Sequence, residues 1–344
     1  MESTHTVTLG GNSFTLSSDY QHVGFVNLSL SYPTVRALHP VTGTSVFITK
    51  VRRPLVDLYS LRSVLRNLCI LAFCDHSNIV TLVDIPRPPD MSDLYYVWEG
   101  MDAGLRAVIR SPQALSNTHS AYFLYQVLAA LKYLHSTGIV LGTIETSTIL
   151  VNQNCKVKLS DFSTAWKAGG SPPEPVERRE NQAPEVLLNA PSQGRAGDMW
   201  TAGCVLAELL GRQPLFSAPC SLEHVRRLVE IVGSPSDEDM SCLSSQARKY
   251  LSSLPTSPAI AWITLFPSAS PGLLELLGNL LVFNPAKRFT PAQCLELPCF
   301  QEFRFVEEEI EANRLFDWSF EEQMSTLEEA QRLITEAAQR FHPN

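Results

Sequence analysis

Apolar and polar positions alternate through the first fifty residues, which are rich in Val, Thr, Ser and Phe. With turn residues at Gly10-Gly11 and between Pro40 and Gly43, this pattern predicts a meander of short strands. Over 56–72 the period lengthens: Leu58, Leu61, Leu65, Leu68 and Leu71 recur at threes and fours, which predicts an amphipathic helix. Two further strands are expected within 78–99, parted by the breaker run at 86–90. Residues 1–100 therefore form a β-rich lobe with one helix. Residues 101–301 are mainly helical. Asn117 is the expected cap of a helix with the stripe Phe123, Leu124, Val127, Leu128, Leu131 and Leu134, ending before Gly138. A hairpin over 148–151 and 156–160 follows, then helices at 197–210, 221–232, 271–283 and 290–298. Over 302–344, Ser325 with Glu328 predicts a capping box before a last helix. Glu328–Arg332 and Glu336–Arg340 are expected to pair along it.

Composition narrows the function classes. The 344 residues are 44% hydrophobic, enough for a sizeable core, which excludes a fully disordered chain. Lys and Arg total 27 against 35 Asp and Glu, a formal charge of −8, so nothing draws the chain as a whole to nucleic acid or anionic membrane. The start carries no secretory-signal pattern, and the longest uncharged stretch, 250–274, holds four prolines, so no membrane span is expected. The eight cysteines lack CxxC spacing. They allow four disulfides, but reduced core thiols in a cytoplasmic or nuclear protein are the expectation.

Several strings then fall in a telling order: VFITK at 46–50, ILVNQNCKVKLSDFS at 149–163, QAPEVLL at 182–188, GDMWTAGCVLAELL at 197–210 and FNPAKRFT at 283–290. The order resembles a eukaryotic protein kinase along nearly the whole chain. PLF followed by an insertion at about 219–260, LVFNPAKR and LFDWSF resemble the MAP kinases, with the fungal osmosensing and stress-activated branch nearest. The resemblance implies an α+β fold of two lobes, a small antiparallel sheet with one helix above a larger helical lobe.

What the family uses for chemistry is largely replaced. The resemblance puts the phosphate-loop glycines at Asn27, Ser29 and Tyr32, whose side chains intrude where bare backbone is needed. The strand Lys falls on Thr49, with Lys50 one residue on and pointed away by strand alternation unless the register shifts. The helix Glu falls on Asn67. In the catalytic loop, read 141–148, the base Asp becomes Thr143, the phosphate-steadying Lys becomes Glu145 and the metal-binding Asn becomes Thr148. Asp161 survives, either as a magnesium ligand or as an acceptor of local backbone hydrogen bonds. Phe47 and Trp98 stand where the adenine would lie and are expected to fill the pocket. The Thr-x-Tyr place reads Pro173-Glu174-Pro175, with nothing to phosphorylate.

The scaffold is kept. Glu185, Asp198, Trp200 and Arg288 match positions that tie the large lobe together, and Glu185 is expected to pair with Arg288. Leu141 and Phe162 preserve an apolar column between the lobes. Residues 302–344 hold eleven acids and four bases, leaving the rest of the chain close to neutral. Within them Glu307, Glu308, Glu309 and Glu311 form either an acidic docking patch for basic peptides or a solvated turn. The reading at this point is a monomeric, catalytically inactive MAP-kinase-like protein. It binds no cofactor and acts as a scaffold or decoy for an upstream kinase, a phosphatase or substrates with basic docking peptides. The alternative is an atypical serine/threonine kinase using ATP and magnesium through Lys50 and Asp161.

Overall fold

The structure, a computed structural model, describes residues 4–26, 32–52, 58–86, 93–173, 180–190, 193–324 and 326–341. In the small lobe β1 (Thr4–Leu9) and β2 (Asn12–Ser17) form a hairpin, turning at Gly10 and Gly11, both with positive φ. After them come β3 (Gln21–Phe25), β4 (Thr34–Leu38), β5 (Ser45–Arg52), α1 (Leu58–Phe73), β6 (Leu82–Asp84) and β7 (Asp93–Glu99). The five-stranded antiparallel sheet runs β3-β4-β5-β7-β6. Period-two alternation gives it two apolar faces. Val46, Ile48, Tyr95 and Val97 pack under the hairpin with Phe14 and Leu16. Phe47, Val51, Tyr96 and Trp98 join the main core with α1.

The large lobe begins with β8 (Ala103–Gly104), α2 (Leu105–Arg110) and the 20-residue α3 (Asn117–Ser136). Short strands β9 (Ile139–Val140), β10 (Ile149–Val151), β11 (Val157–Leu159) and β12 (Trp166–Lys167) carry the catalytic-loop and activation-segment positions. There follow α4 (Pro184–Leu187), α5 (Arg195–Gly211), α6 (Ser221–Val232), α7 (Ser245–Ser253), α8 (Trp262–Leu265), α9 (Pro271–Leu280) and α10 (Pro291–Leu295). The chain closes with α11 (Ser319–Glu322) and α12 (Leu327–Phe341). Packing of α3 against α5 buries Leu124, Leu128, Trp200 and Leu206 at the centre.

Two expected caps move by one residue. Ser116, not Asn117, caps α3, in a box with His119; the Asn117 amide instead donates to the Ser268 carbonyl. At α12 the box is formed by Thr326 and Glu329 rather than Ser325 and Glu328. Ser325 lies outside the described residues. Arg332 pairs forward with Glu336 at 3.1 Å.

His76 joins the lobes' seam to the C-terminal extension. Its Nδ1 accepts the Asn78 N–H at 3.0 Å, so Nε2 carries the proton and donates to the Glu308 carbonyl at 3.2 Å. Burial, aided by Lys156 and Lys158 against the opposing pull of Glu308, lowers its pKa to about 4. The unfolded chain then takes up this proton first. The stabilisation by neutral His76 is complete above the ordinary histidine value of about 6.5 and is lost as pH falls toward about 4. His224 shifts in the same direction through burial. Urea titrations at pH 7 and 5 should show a loss of about 2 kcal/mol from His76. His76→Gln should flatten that slope; an unchanged slope would exclude His76 as its source.

Candidate active site

The cleft between the lobes, with room of only about 40 Å³ inside it, runs from Tyr32 and Thr34 past Thr49, Asn67 and Trp98 down to Thr148 and Asp161. Strand alternation decides what faces it. On β5, Phe47, Thr49 and Val51 turn inward, whereas Lys50 points to the hairpin side. There the Lys50 ammonium donates to the Ser13 carbonyl and pairs with Asp93, both at 2.6 Å. Burial opposes its charge, but Asp93 and Tyr95 outweigh that and raise its pKa. Lys50 is thus engaged on the face away from the cleft, and the register shift that would have turned it inward does not occur. Asn27 and Ser29 lie outside the described residues.

Phe47 and Trp98, cross-strand partners on β5 and β7, pack edge to face with ring centroids 4.9 Å apart. Both rings are buried, and Trp98 forms one wall of the cleft, which leaves about 40 Å³ of room beside it. The indole N–H donates to Thr49 Oγ1 at 2.9 Å, and that hydroxyl also shares a 2.9 Å hydrogen bond with Thr34. Tyr96 lies beside this set. Burial, with the charge of nearby Asp161, pushes its phenol above the ordinary range. Where the family has a Lys–Glu ion pair, this chain has a net of uncharged hydroxyls.

The catalytic loop is anchored through its backbone on α5. Asp198, wholly buried on α5, accepts the Leu141 N–H at 3.0 Å, the Gly142 N–H at 2.8 Å and the His135 ring at 2.8 Å. Thr143 follows as a half-buried residue. Glu145 accepts from the Ser147 hydroxyl at 3.0 Å and lies 3.9 Å from Arg106, so its carboxylate is turned into the loop's own bonding. Thr148 donates to the Glu145 carbonyl at 3.1 Å and lines the cleft. Across from it, Asp161 Oδ1 accepts the Ser163 N–H at 2.9 Å. Of the two alternatives for Asp161 the structure shows the backbone hydrogen bond, on one oxygen, in a residue that also lines the cleft. Asn67 replaces the helix Glu in a new role. Its Oδ1 accepts the Phe162 N–H at 2.9 Å, docking α1 onto the Asp161 turn. Leu141 and Phe162 are buried in the same cluster.

Below the cleft, Glu185 and Arg288 form a buried bidentate pair with both N···O distances 2.7 Å, and the guanidinium lies 5.1 Å from the Trp200 ring centroid. Pro173 is the last described residue of the activation segment before 180; Glu174 and Pro175 lie outside. The four acids at 307–311 do not form one free patch. Glu309 is buried, bonded to Arg304 at 2.7 Å and to the Tyr125 hydroxyl at 3.3 Å, and Glu308 is half-buried and paired with Lys156 at 3.1 Å. Only Glu307 and Glu311 stand exposed. Among them are the exposed apolar residues Phe305, Val306 and Ile310.

Two parts of the site carry no local sequence signal. Arg66 is buried on α1, with one nitrogen on the Ser163 carbonyl and another on Glu321. Gly142, where the family has Arg, has φ +82°, and a Cβ there would sit 2.2 Å from the Trp166 ring. Only a residue without a side chain admits that indole.

Known proteins resemble the chain along most of its length. The protein kinase domain family matches residues 33–300. The mitogen-activated protein kinase homolog NTF6 of Nicotiana tabacum is 36% identical over 314 residues, covering 90% of this chain and 85% of the relative. Mitogen-activated protein kinase 6 of Arabidopsis thaliana is 35% identical over 89% of this chain and 79% of its own length. Mitogen-activated protein kinase spk1 of Schizosaccharomyces pombe is 37% identical over 83% of this chain and 79% of its own length. These matches correct the expectation of a catalytically inactive protein that is not an enzyme. The relatives are protein kinases by name, and both lobes of the enzyme domain are covered. Replacement of motif residues does not by itself remove the chain from that class. The chain belongs to the eukaryotic protein kinases, in the mitogen-activated protein kinase family.

Proposed function

We propose that the chain is an atypical serine/threonine protein kinase that transfers the γ-phosphoryl group of ATP to a protein hydroxyl. The observation that carries this reading is the family match across both lobes, joined to a cleft that keeps Asp161 at its floor. Among the described residues no group of three acidic, His or Cys side chains stands together, so a magnesium ion here would rest on Asp161 and substrate phosphates. Magnesium is commonly held by one or two carboxylates together with substrate phosphates, and Asp161 supplies one carboxylate with Thr148 opposite. Bound there, the ion would offset charge on the phosphate oxygens.

The chain's own residues then position the reactants. The hydroxyls of Thr34 and Thr49 stand where the family places its cation; Thr34 donates to the Tyr32 carbonyl and Thr49 to Thr34, so they hold the cleft wall without supplying charge. Thr143 occupies the place of the base, where its hydroxyl orients the incoming hydroxyl; the proton of that hydroxyl passes to an oxygen of the transferred phosphoryl group as the bond from phosphorus to ADP breaks. Phosphoryl transfer through a loose transition state asks little of a base, so positioning carries most of the catalysis. Loss of general-base assistance commonly costs about 10²–10⁴ in rate, so turnover is expected far below the roughly 1–100 s⁻¹ of ordinary kinases. For partners, exposed Glu307 and Glu311 beside Phe305, Val306 and Ile310 suit a basic peptide with apolar flanks, of the kind that links members of a kinase cascade.

A radiolabel transfer assay with Mg-ATP and a protein substrate bearing such a basic segment tests both halves. Asp161→Asn should lower the rate by at least about 10²-fold. Glu307→Lys with Glu311→Lys should raise KM for that substrate and leave kcat unchanged. Absence of transfer by the unmodified chain, or equal transfer by Asp161→Asn, would refute the reading.

A further inference from the structure

The C-terminal extension reaches the cleft carboxylate through one buried cation. Arg66 on α1 lends Nε to Glu321 Oε1 on α11 at 2.5 Å and Nη1 to the Ser163 carbonyl at 2.6 Å. The N–H of that same Ser163 is held by Asp161 Oδ1 at 2.9 Å, and the preceding Phe162 N–H by Asn67 at 2.9 Å. The Phe162 N–H and the Ser163 carbonyl are thus held from α1 while the Ser163 N–H is held by Asp161, so Ser163 is gripped on its two polar sides. One turn earlier on α1, Arg62 donates to the Met324 carbonyl at 2.5 Å, so the helix meets the extension at two points. Phe320 and Met324 are buried beneath this contact, and α12 packs on α1.

We infer that Glu321 and Arg66 are positioning residues for Asp161: the C-terminal extension sets the orientation of the cleft carboxylate through the relay Glu321–Arg66–Ser163. The physical basis is charge balance. The Arg66 side chain is only 5% exposed, and Glu321 is the one carboxylate paired with it among the described residues. A buried cation without its counter-charge is costly. With Glu321 neutralised, Arg66 turns toward solvent and releases the Ser163 carbonyl. Asp161 then loses its fixed acceptor geometry, although neither Glu321 nor Arg66 lines the cleft. The consequence is a kinase whose metal-binding carboxylate is set by its own tail, without a phosphorylated activation segment.

Hydrogen exchange on the full-length, nucleotide-free chain tests the relay without reference to activity. Glu321→Gln should speed exchange of the Phe162 and Ser163 amides about tenfold, about the effect of losing one charge-assisted hydrogen bond. The α5 core should keep its protection, and the exposed neighbour Glu322→Gln should change nothing. Arg66→Met should match Glu321→Gln, and Glu321→Asp should restore most of the protection. Unchanged exchange at 162–163 in both Glu321→Gln and Arg66→Met would overturn the relay, as would equal acceleration throughout the chain. A second measurement rests on the kinase reading: Glu321→Gln should raise the Kd for Mg-ATP about tenfold. If the unmodified chain fails to bind Mg-ATP while the exchange result holds, the kinase reading fails and the relay stands.

Discussion

Replacing Arg288 by Met lowers the free energy of unfolding by about 3–5 kcal/mol, the cost typical of leaving one partner of a buried ion pair uncompensated. The side chain holds more than Glu185. Its Nε donates to the Val282 carbonyl at 2.7 Å, Nη1 to Ala196 at 2.8 Å and Nη2 to Phe283 at 3.1 Å, and the guanidinium packs against Trp200. One residue therefore joins α4, the start of α5 and the segment that follows α9. The pair is 0% and 1% exposed, so solvent cannot take over any of these bonds. Urea denaturation of the purified variant measures the loss; a change under about 1 kcal/mol would exclude the pair as a major support. Glu185→Leu combined with Arg288→Met should recover part of the loss, because it removes both charges and leaves no orphan.

The second large effect is at Gly142. Gly142→Ala should cost about 2–5 kcal/mol, from about 1–2 for a left-handed backbone with a Cβ and about 1–3 for overpacking. The clash is with Trp166, whose ring atom Cζ3 would lie 2.2 Å from the new Cβ. Trp166 is paired to Val140 across β12 and β9, so its ring cannot simply swing away. Trp166→Ala removes the clash but not the strain. The double variant should therefore be more stable than the two single losses predict, with a coupling of about 0.5–3 kcal/mol. Additive losses would mean that the indole and Gly142 do not constrain each other. The residue that follows, Thr143, should also be displaced, so phosphoryl transfer should fall further than stability alone explains. Restoring the family's Arg at this position is predicted to be tolerated only with Trp166 truncated.

Much of the small lobe was legible because its signals are local. The leucine period over 56–72 corresponds to α1, and alternation along 45–52 separates Thr49 from Lys50. The strings around Asp161, Glu185, Asp198 and Arg288 specified their surroundings well enough for the Glu185–Arg288 pair to be expected before any coordinates. The charge run at 307–311 was not legible in the same way. Four acids in five residues read as one surface, yet Glu309 is buried because Arg304 and Tyr125 meet it there. The cap at α3 failed for a related reason. Ser116 and Asn117 are both good caps, and the choice turned on Ser268, a residue 151 positions away that occupies the Asn117 amide. The inference of inactivity rested on a count of missing motif residues. That count records which side chains changed, but it does not measure how far the remaining scaffold still positions a reaction.

By itself the sequence determined the order of the principal elements, the apolar faces of α1 and α3, the opposed faces of Thr49 and Lys50 on β5, and the family to which the chain belongs. These follow from periods of two and 3.6 and from contiguous motifs, so neighbours a few residues apart are enough. Tertiary structure alone decided that Arg66 bridges Glu321 to Ser163, that Asn67 holds Phe162, that Gly142 makes room for Trp166, and which glutamates are buried. The worth of a charge or of a missing side chain depends on burial and on partners up to 262 residues distant, and no period in the chain records those.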